Sequence, residues 1–398
     1  MVALLGSLFV VGLSFGAGAP LVSAILEQRG FSEYFTGAVG AVLAVAVAAS
    51  SPWVGRLVER HGPRRVNLLG IVTQAVGFVA VGLALASNEW LLFPARLWLG
   101  FAATLTFVAA EVALLRGVRP AVRGRVMAAY GAATGSGFAT GVWLADLTYD
   151  VIGLWCFGLV AAIALMVWPL AARGLREPAD EPAMRSSDQP SQEPLPWAPL
   201  LLTLSGAFIY SAVDAAMTGA YPVEGQRLGL SRGQALNIVG LVVLGSVAAQ
   251  PLFGWLADRW DTLRTLATIA LLGLASALAT GLLATRGSSL PWLGVGFLFL
   301  GTAIGGSYPV CLKLLAERVA DHHLARANAR FGATYGYAAL IGPLAGAAGI
   351  DVAERTGHLG WALPGLCAVL FIAVLPLLWW DGRRQRSPGA GSSVQDVG

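Results

Sequence analysis

Twelve runs of mostly apolar residues fill this chain, at roughly 3–25, 34–55, 66–87, 90–115, 126–148, 150–172, 198–220, 234–256, 265–285, 289–316, 328–350 and 360–380. About 20 such residues are enough to cross a bilayer as a helix. Hydrocarbon offers the backbone no hydrogen-bond partner, so only helices or a closed barrel can span it. The short alternating strands of a barrel are absent from the pattern. The expectation is an all-α integral membrane protein with twelve transmembrane helices. Composition agrees: 56% of residues are hydrophobic and 12% charged, against about 25% charged in a soluble domain. The first run starts at Ala3, without a basic stretch before it or a cleavage site after it, and reads as a span rather than a signal peptide.

The charges that remain are placed unevenly. Twenty of the 26 basic residues lie in the connections after even-numbered runs or in the tail, and five lie in the other connections (Arg29, Arg227, Arg232, Arg286 and Arg355). Arg96 is the remaining one, inside the fourth run. Basic loops stay on the cytoplasmic side, so both termini are expected there, in a bacterial inner membrane. The stretch 173–197 is rich in Pro, Glu and Ser without an apolar period, and reads as a flexible cytoplasmic linker. It divides a six-helix bundle, 1–172, from a second one, 198–381, followed by a tail at 382–398.

The two bundles repeat each other. Pro52, Gly55, Leu57, Glu59 and Arg60 correspond to Pro251, Gly254, Leu256, Asp258 and Arg259 at a spacing of 199. "RGFSEYFTGAVG" from Arg29 matches "LGLSRGQALNIV" from Leu228 at the same spacing. Later the offset is 201: Gly100 with Gly301, Arg125 with Arg326, and "YGAATG" from Tyr130 with "FGATYG" from Phe331. Duplicated halves are a transporter architecture, with the site formed between them.

The loop "GRLVERHGPRRV" carries the resemblance further. Gly55, Glu59, Arg60, Gly62 and Arg64 resemble the signature G-x-x-x-D-R-x-G-R-R of the major facilitator superfamily, with Glu for Asp at 59 and Pro63 for the first of the paired arginines. The second copy retains Gly254, Asp258 and Arg259 and has Asp261 in place of the later glycine. The stretches from Arg96 to Tyr130 and from Tyr308 to Gly346 are similar to the YcaD-like branch of that family. The resemblance implies a cytoplasmic gate, in which Glu59 caps the start of span eleven, Asp258 caps the start of span five, and Glu111 pairs with the arginines. An acid beside a helix N-terminus meets about half a positive charge there, so such a cluster can hold the cytoplasmic side shut. The alternative is that these charges only set topology.

Ionisable groups inside a span face an interior and have partners. Two stand out. Arg96 begins "RLWLGFAA", which resembles the family's fourth-span R-x-x-Q-G pattern with Leu99 in place of Gln. That pattern is associated with proton coupling. Asp214 lies in span seven. By resemblance, spans one, four, seven and ten line the cavity, so Arg96 and Asp214 are expected to face each other or the same substrate. Tyr210, Asp214, Met217 and Tyr221 recur on one side of a helix, a set suited to an organic cation or an amphipathic molecule; a buried Asp214 can instead carry the coupling proton. Alternatively, Asp214 makes a structural pair near the outer rim. "GTAIGGSYPV" from Gly301 is expected to interrupt span ten, by proline and glycine, which marks either a binding site near Tyr308 or close helix packing. Span five carries "GAATGSGFATG" without the proline of the family's G-P-x-x-G-G antiporter element.

Other function classes find no support. The chain carries neither a phosphate-binding loop nor a nucleophile–base arrangement, and an enzyme is not expected. Cys156, Cys311 and Cys367 are scattered in apolar runs and read as inert thiols. The His322-His323 pair reads as solvated loop, so no metal, cofactor or nucleic acid is expected. The reading is a monomeric secondary transporter working by alternating access, in proton-coupled efflux of a small organic molecule. Its partners are that substrate, protons and the bilayer. Uptake or facilitated diffusion is one alternative, and a non-transporting sensor or scaffold is another.

Overall fold

The computed structural model describes residues 2–117, 123–174, 200–287, 289–319 and 321–386. Twelve long helices are present among them: α1 Val2–Gln28, α2 Glu33–His61, α3 Pro63–Ser87, α4 Leu92–Gly117, α5 Arg123–Ile152, α6 Trp155–Gly174, α7 Leu201–Gly219, α9 Arg232–Arg259, α10 Thr262–Thr285, α11 Leu290–Arg318, α12 Asp321–Thr356 and α13 Ala362–Arg386. A short helix, α8 (Tyr221–Arg227), follows α7. Among the described residues, eleven helices are long and apolar enough to cross a membrane. The twelfth, α5, has a Gly-, Ala- and Thr-rich sequence and packs inside, against α1 and α9. Of the expected linker, residues 175–197 lie outside the described residues, as does the tail from 387.

The helices form two pseudo-symmetric six-helix bundles. α1 packs along α5 as α7 packs along α12; α2 meets α4 as α9 meets α11; α3 meets α6 as α10 meets α13. Between the halves, α2 packs on α12 and α5 on α9, the same contact made twice. The caps repeat as well. Ser32 accepts from the Phe35 N–H to start α2, and Ser231, with Gln234, forms a capping box at the start of α9. These residues are equivalent at the spacing of 199.

Two turns show one task solved in two ways. Between α2 and α3, Gly62 takes φ 80°, a conformation that favours glycine, and Pro63 occupies the first turn of α3, where its missing N–H leaves no bond unmade. The matching turn between α9 and α10 has extended backbone at Trp260, and Asp261 accepts from the Arg264 N–H to cap α10. Pro63 and Asp261 are thus both helix-start chemistry.

Bare backbone brings the helices together. A Cβ on Gly12 or Gly16 of α1 would lie 1.9 Å from the carbonyl oxygens of Thr134 or Phe138, and one on Gly137 or Gly141 of α5 would lie 2.0 Å from those of Phe9 or Leu13. Gly301 and Gly305 of α11 approach Val242 and Ser246 of α9 at 2.0 and 2.1 Å in the same sense. α11 therefore runs unbroken through the stretch expected to interrupt it. Pro309 leaves one carbonyl without its helical donor, too little to break a helix whose glycine face is clamped on α9.

Gly301→Ala would put a methyl group into the Val242 carbonyl. It is expected to destabilise the protein by about 1–3 kcal/mol, read as a lower melting temperature in detergent. Gly254→Ala, with nothing within 4 Å of its Cβ, is the matched control and should melt as the wild type does.

Candidate functional site between the two halves

The ends of the helices define an arginine-rich face, where α1 begins and α13 ends, and an opposite face. On the opposite face, side chains tie one half to the other. Arg227 of α8 sits at the centre. Its Nε donates to Glu27 Oε1 of α1 at 2.9 Å, its Nη2 to Glu33 Oε2 of α2 at 3.0 Å, and its Nη1 to Glu354 Oε1 of α12 at 2.8 Å. Gln226 donates to the Ala24 carbonyl of α1 at 3.1 Å. Arg232, at the start of α9, pairs with Asp146 at 3.0 Å and with Asp150, both on α5, and lies over the Tyr149 ring. The other α2–α12 and α5–α9 contacts mirror each other: the Tyr34 hydroxyl donates to Asp351 at 3.0 Å, and Asp351 is the repeat equivalent of Asp150 at the offset of 201.

The pairs described at the arginine-rich face stay within one half. Arg64 Nη2 donates to the Ala172 carbonyl at 2.5 Å, holding the last turn of α6. Lys313 Nζ bonds Asp258 at 2.7 Å, and Arg318 pairs with Asp381. Arg259 lies over its own helix's Trp255 ring, 4.3 Å from the centroid, and Arg60 is exposed. Gly55 and Gly254 have open space where a Cβ would stand. The side chains of Glu59 and Glu111 lie outside the described residues, as do those of 123–130 and 321–326, so the expected caps on α5 and α12 fall there too.

In the interior, the two intramembrane charges separate. Arg96 is 2% exposed and its Nη2 donates to the Gly18 carbonyl of α1 at 2.9 Å, with its Nε left without a partner. Among the described residues it makes no ion pair with Asp214. The guanidinium is committed to the backbone of its own half.

Asp214 has different company. One helical turn away on α7, the Tyr210 ring lies 5.1 Å from Tyr308 of α11 and 6.0 Å from Tyr335 of α12, and Tyr308 and Tyr335 are 6.1 Å apart. Phe331 closes on Tyr308 edge-on at 5.3 Å. Ser211 donates to the Tyr335 carbonyl at 2.7 Å and fixes that part of α12 on α7. The Asp214 side chain is half-buried, and no ion pair to it is present among the described residues. Three rings from three helices thus meet within one turn of an unpaired carboxylate.

The expected stripe on span seven is split. Met217 is 1% exposed in the core. Tyr221 is also 1% exposed and packs edge-on against Phe297 at 4.6 Å. The regular spacing ends because α7 stops at Gly219 and Pro222 opens α8, so Tyr221 no longer follows the face of Tyr210. Sequence reading missed Tyr335 and the Arg227 cluster. "FGATYG" signalled only a repeat, Arg227 counted only as a basic residue between two runs, and Glu27 and Glu354 carried no signal of their own.

A family-wide sequence profile now decides the question of kinship. The Major Facilitator Superfamily profile matches residues 4–205 and again 203–396. The chain belongs to that superfamily. It is therefore a member of a carrier family rather than an enzyme. It is 24% identical to YfkF of Bacillus subtilis (strain 168), an uncharacterized MFS-type transporter, over 348 residues covering 85% of each protein. It is 24% identical over 350 residues to YcaD of Escherichia coli (strain K12 / DH10B), also an uncharacterized MFS-type transporter, covering 85% of this chain and 86% of YcaD. Its fold matches a bacterial homolog of the human lysosomal transporter Spinster, solved in an inward-facing and occupied conformation, with a TM-score of 0.75 at 14% identity over 96% of each chain.

The Arg227 cluster is testable as a unit. In a double-mutant cycle of Arg227→Gln and Glu27→Gln, thermal or denaturant unfolding should show a coupling of about 0.5–3 kcal/mol between the two sites. Additive effects would mean that the pair does not bind the halves together.

Proposed function

We propose that this superfamily member is a secondary transporter that moves a small organic cation by alternating access, exchanging it for protons in the direction of efflux. The observation that carries the reading is the unpaired Asp214 carboxylate beside the Tyr210, Tyr308 and Tyr335 rings. A carboxylate removed from water needs a positive charge or a proton. Aromatic faces attract a desolvated cation that a sodium-sized ion's tight hydration would deny them. One carboxylate cannot hold substrate and proton together, so the two compete, and competition at a single alternating site is exchange.

The polarity follows from charge. Basic loops favour the cytoplasm, which makes the arginine-rich face cytoplasmic and puts both termini on the cytoplasmic side of a bacterial inner membrane. The cross-half bonds at the opposite face then close the outer mouth, while the cytoplasmic pairs of each half remain separate. This is the arrangement expected of an inward-open carrier. Closing the cytoplasmic side would bring together the helix ends around Gly55 and Gly254, where space now stands open, and would engage Glu59, Arg60, Asp258 and Arg259 with the opposite half. Arg96 supports α1 against α4 from inside its own bundle and acts on the site through that packing.

The test uses the full chain in proteoliposomes, with tetraphenylphosphonium as the cation. An imposed proton gradient should drive its flux. Asp214→Asn should lower that flux at least tenfold and remove its dependence on the gradient. Tyr335→Leu, which deletes one ring, should weaken binding by about 2- to 30-fold. Unchanged exchange in Asp214→Asn contradicts the site. Gradient-independent flux in the wild type favours facilitated diffusion, and binding without flux favours a sensor.

A further inference from the structure

One buried acid has no part in the site just described. Glu224 of α8 is 0% exposed. Its Oε2 accepts from the Leu363 N–H at 3.2 Å, in the first turn of α13, and its Oε1 has no hydrogen-bond partner. The Tyr221 hydroxyl, one turn back on the same helix, is also buried without a partner. No cation pairs with Glu224 among the described residues.

The neighbours of α8 explain what an ionised Glu224 would meet. α8 packs against α1, α7, α9, α13 and the turn at 359–361. Tyr221 on its own helix and Cys367 on α13 lie close enough to sense the Glu224 charge; Arg227 ends α8 and Arg232 begins α9. The two arginines are already engaged, Arg227 with Glu27, Glu33 and Glu354, and Arg232 with Asp146 and Asp150. The Arg227 cluster therefore balances one cation against three carboxylates. Glu224 is on the same short helix as Arg227 but turned to α13, so it anchors the helix that carries the bridging arginine.

We propose that Glu224 is a proton-binding site that latches the outer mouth: the protonated acid lets α8 seat against α13 with Arg227 bridging the halves, and loss of the proton releases it. An ionised Glu224 would unseat α8 from α13, and α8 carries the Gln226 and Arg227 side chains that reach the other half. It would also draw water to a group now sealed from it, since a buried unpaired charge is strongly disfavoured. α8 lies outside the spanning segments, between Leu201–Gly219 and Arg232–Arg259. There, burial pushes the Glu224 carboxyl up to about 8, against the lowering effect of the Leu363 and Ala362 N–H groups. The sign follows: the closed outer mouth holds the proton below that value and loses it as pH rises through it. The proton is thus a ligand of the closed mouth, and its release accompanies opening.

The latch rests on the alternating-access reading, and its test separates the two. Spin labels on cysteines placed at Ser87 and Arg286, both exposed at the outer ends of α3 and α10, report the width of the mouth in the full chain in lipid nanodiscs. In the wild type the distance should widen as pH rises, within the window between the usual carboxylate range and about 8. Glu224→Gln, a neutral isostere, should stay narrow at every pH, and Glu224→Met should do the same. Infrared titration should show a protonated-carboxyl band in the wild type that Glu224→Gln lacks. A Glu224→Gln mouth that follows the wild-type pH curve, or a wild-type mouth that ignores pH, overturns the latch. Arg227→Ala reports on the wider reading: if it widens at all pH values while Glu224→Gln tracks the wild type, alternating access stands and the proton site falls.

Discussion

Hydrocarbon cannot hydrogen-bond, and most of this fold follows from that fact. Each backbone group must be satisfied inside its own helix. Charges are then pushed to the helix ends or held between bundles. Helix association cannot rely on hiding apolar surface from lipid, so it relies on closeness. The glycine contacts of α1 with α5 and of α9 with α11, where a single methyl group would strike a carbonyl, are how that closeness is reached. Each is repeated in the other bundle: a Cβ on Gly342 of α12 would lie 2.4 Å from the Ala212 carbonyl of α7, as on Gly141 from Leu13, and one on Gly100 of α4 would lie 2.5 Å from the Leu43 carbonyl of α2, as on Gly301 from Val242, so the duplicated sequence yields a duplicated scaffold. The halves are then free to differ where they face each other.

That difference sits at the ends. On one face the halves share Arg227, Arg232 and the Tyr34–Asp351 bond. On the other, Lys313 and Arg318 spend their charges within one bundle. Ion pairs suit this work because their strength depends on where water is. Sealed from water they hold the halves together, and once hydrated they are worth about 0–1 kcal/mol. A mouth closed by such pairs can open without breaking an apolar core.

The sequence made the spans legible because their length and apolar content are local properties. It also made the repeat legible, down to Ser32 and Ser231, which became equivalent helix caps. The missed features are non-local. Arg227 and Glu27 lie 200 positions apart, and each alone looks like an ordinary interfacial charge. Tyr335 joined the Asp214 site only because α12 packs on α7. Glu224 falls outside the apolar runs because α8 is short, with Pro222 in its first turn. Two errors came from extending a local rule too far. The helical stripe was carried across the end of α7 to Tyr221, and Pro309 was given the power to break a helix that its neighbour holds straight.

The central claim is that the bundles rock about the Asp214 site while the mouths open in turn. Cross-linking tests it most directly. With Tyr34→Cys and Asp351→Cys, a reducible thiol-specific cross-linker should bridge the outer mouth, because the native side chains there already hydrogen-bond. The account predicts that the cross-linked protein still binds tetraphenylphosphonium from the cytoplasmic side but moves none across the membrane, and that reduction restores flux. Continued flux through the cross-linked protein would contradict it.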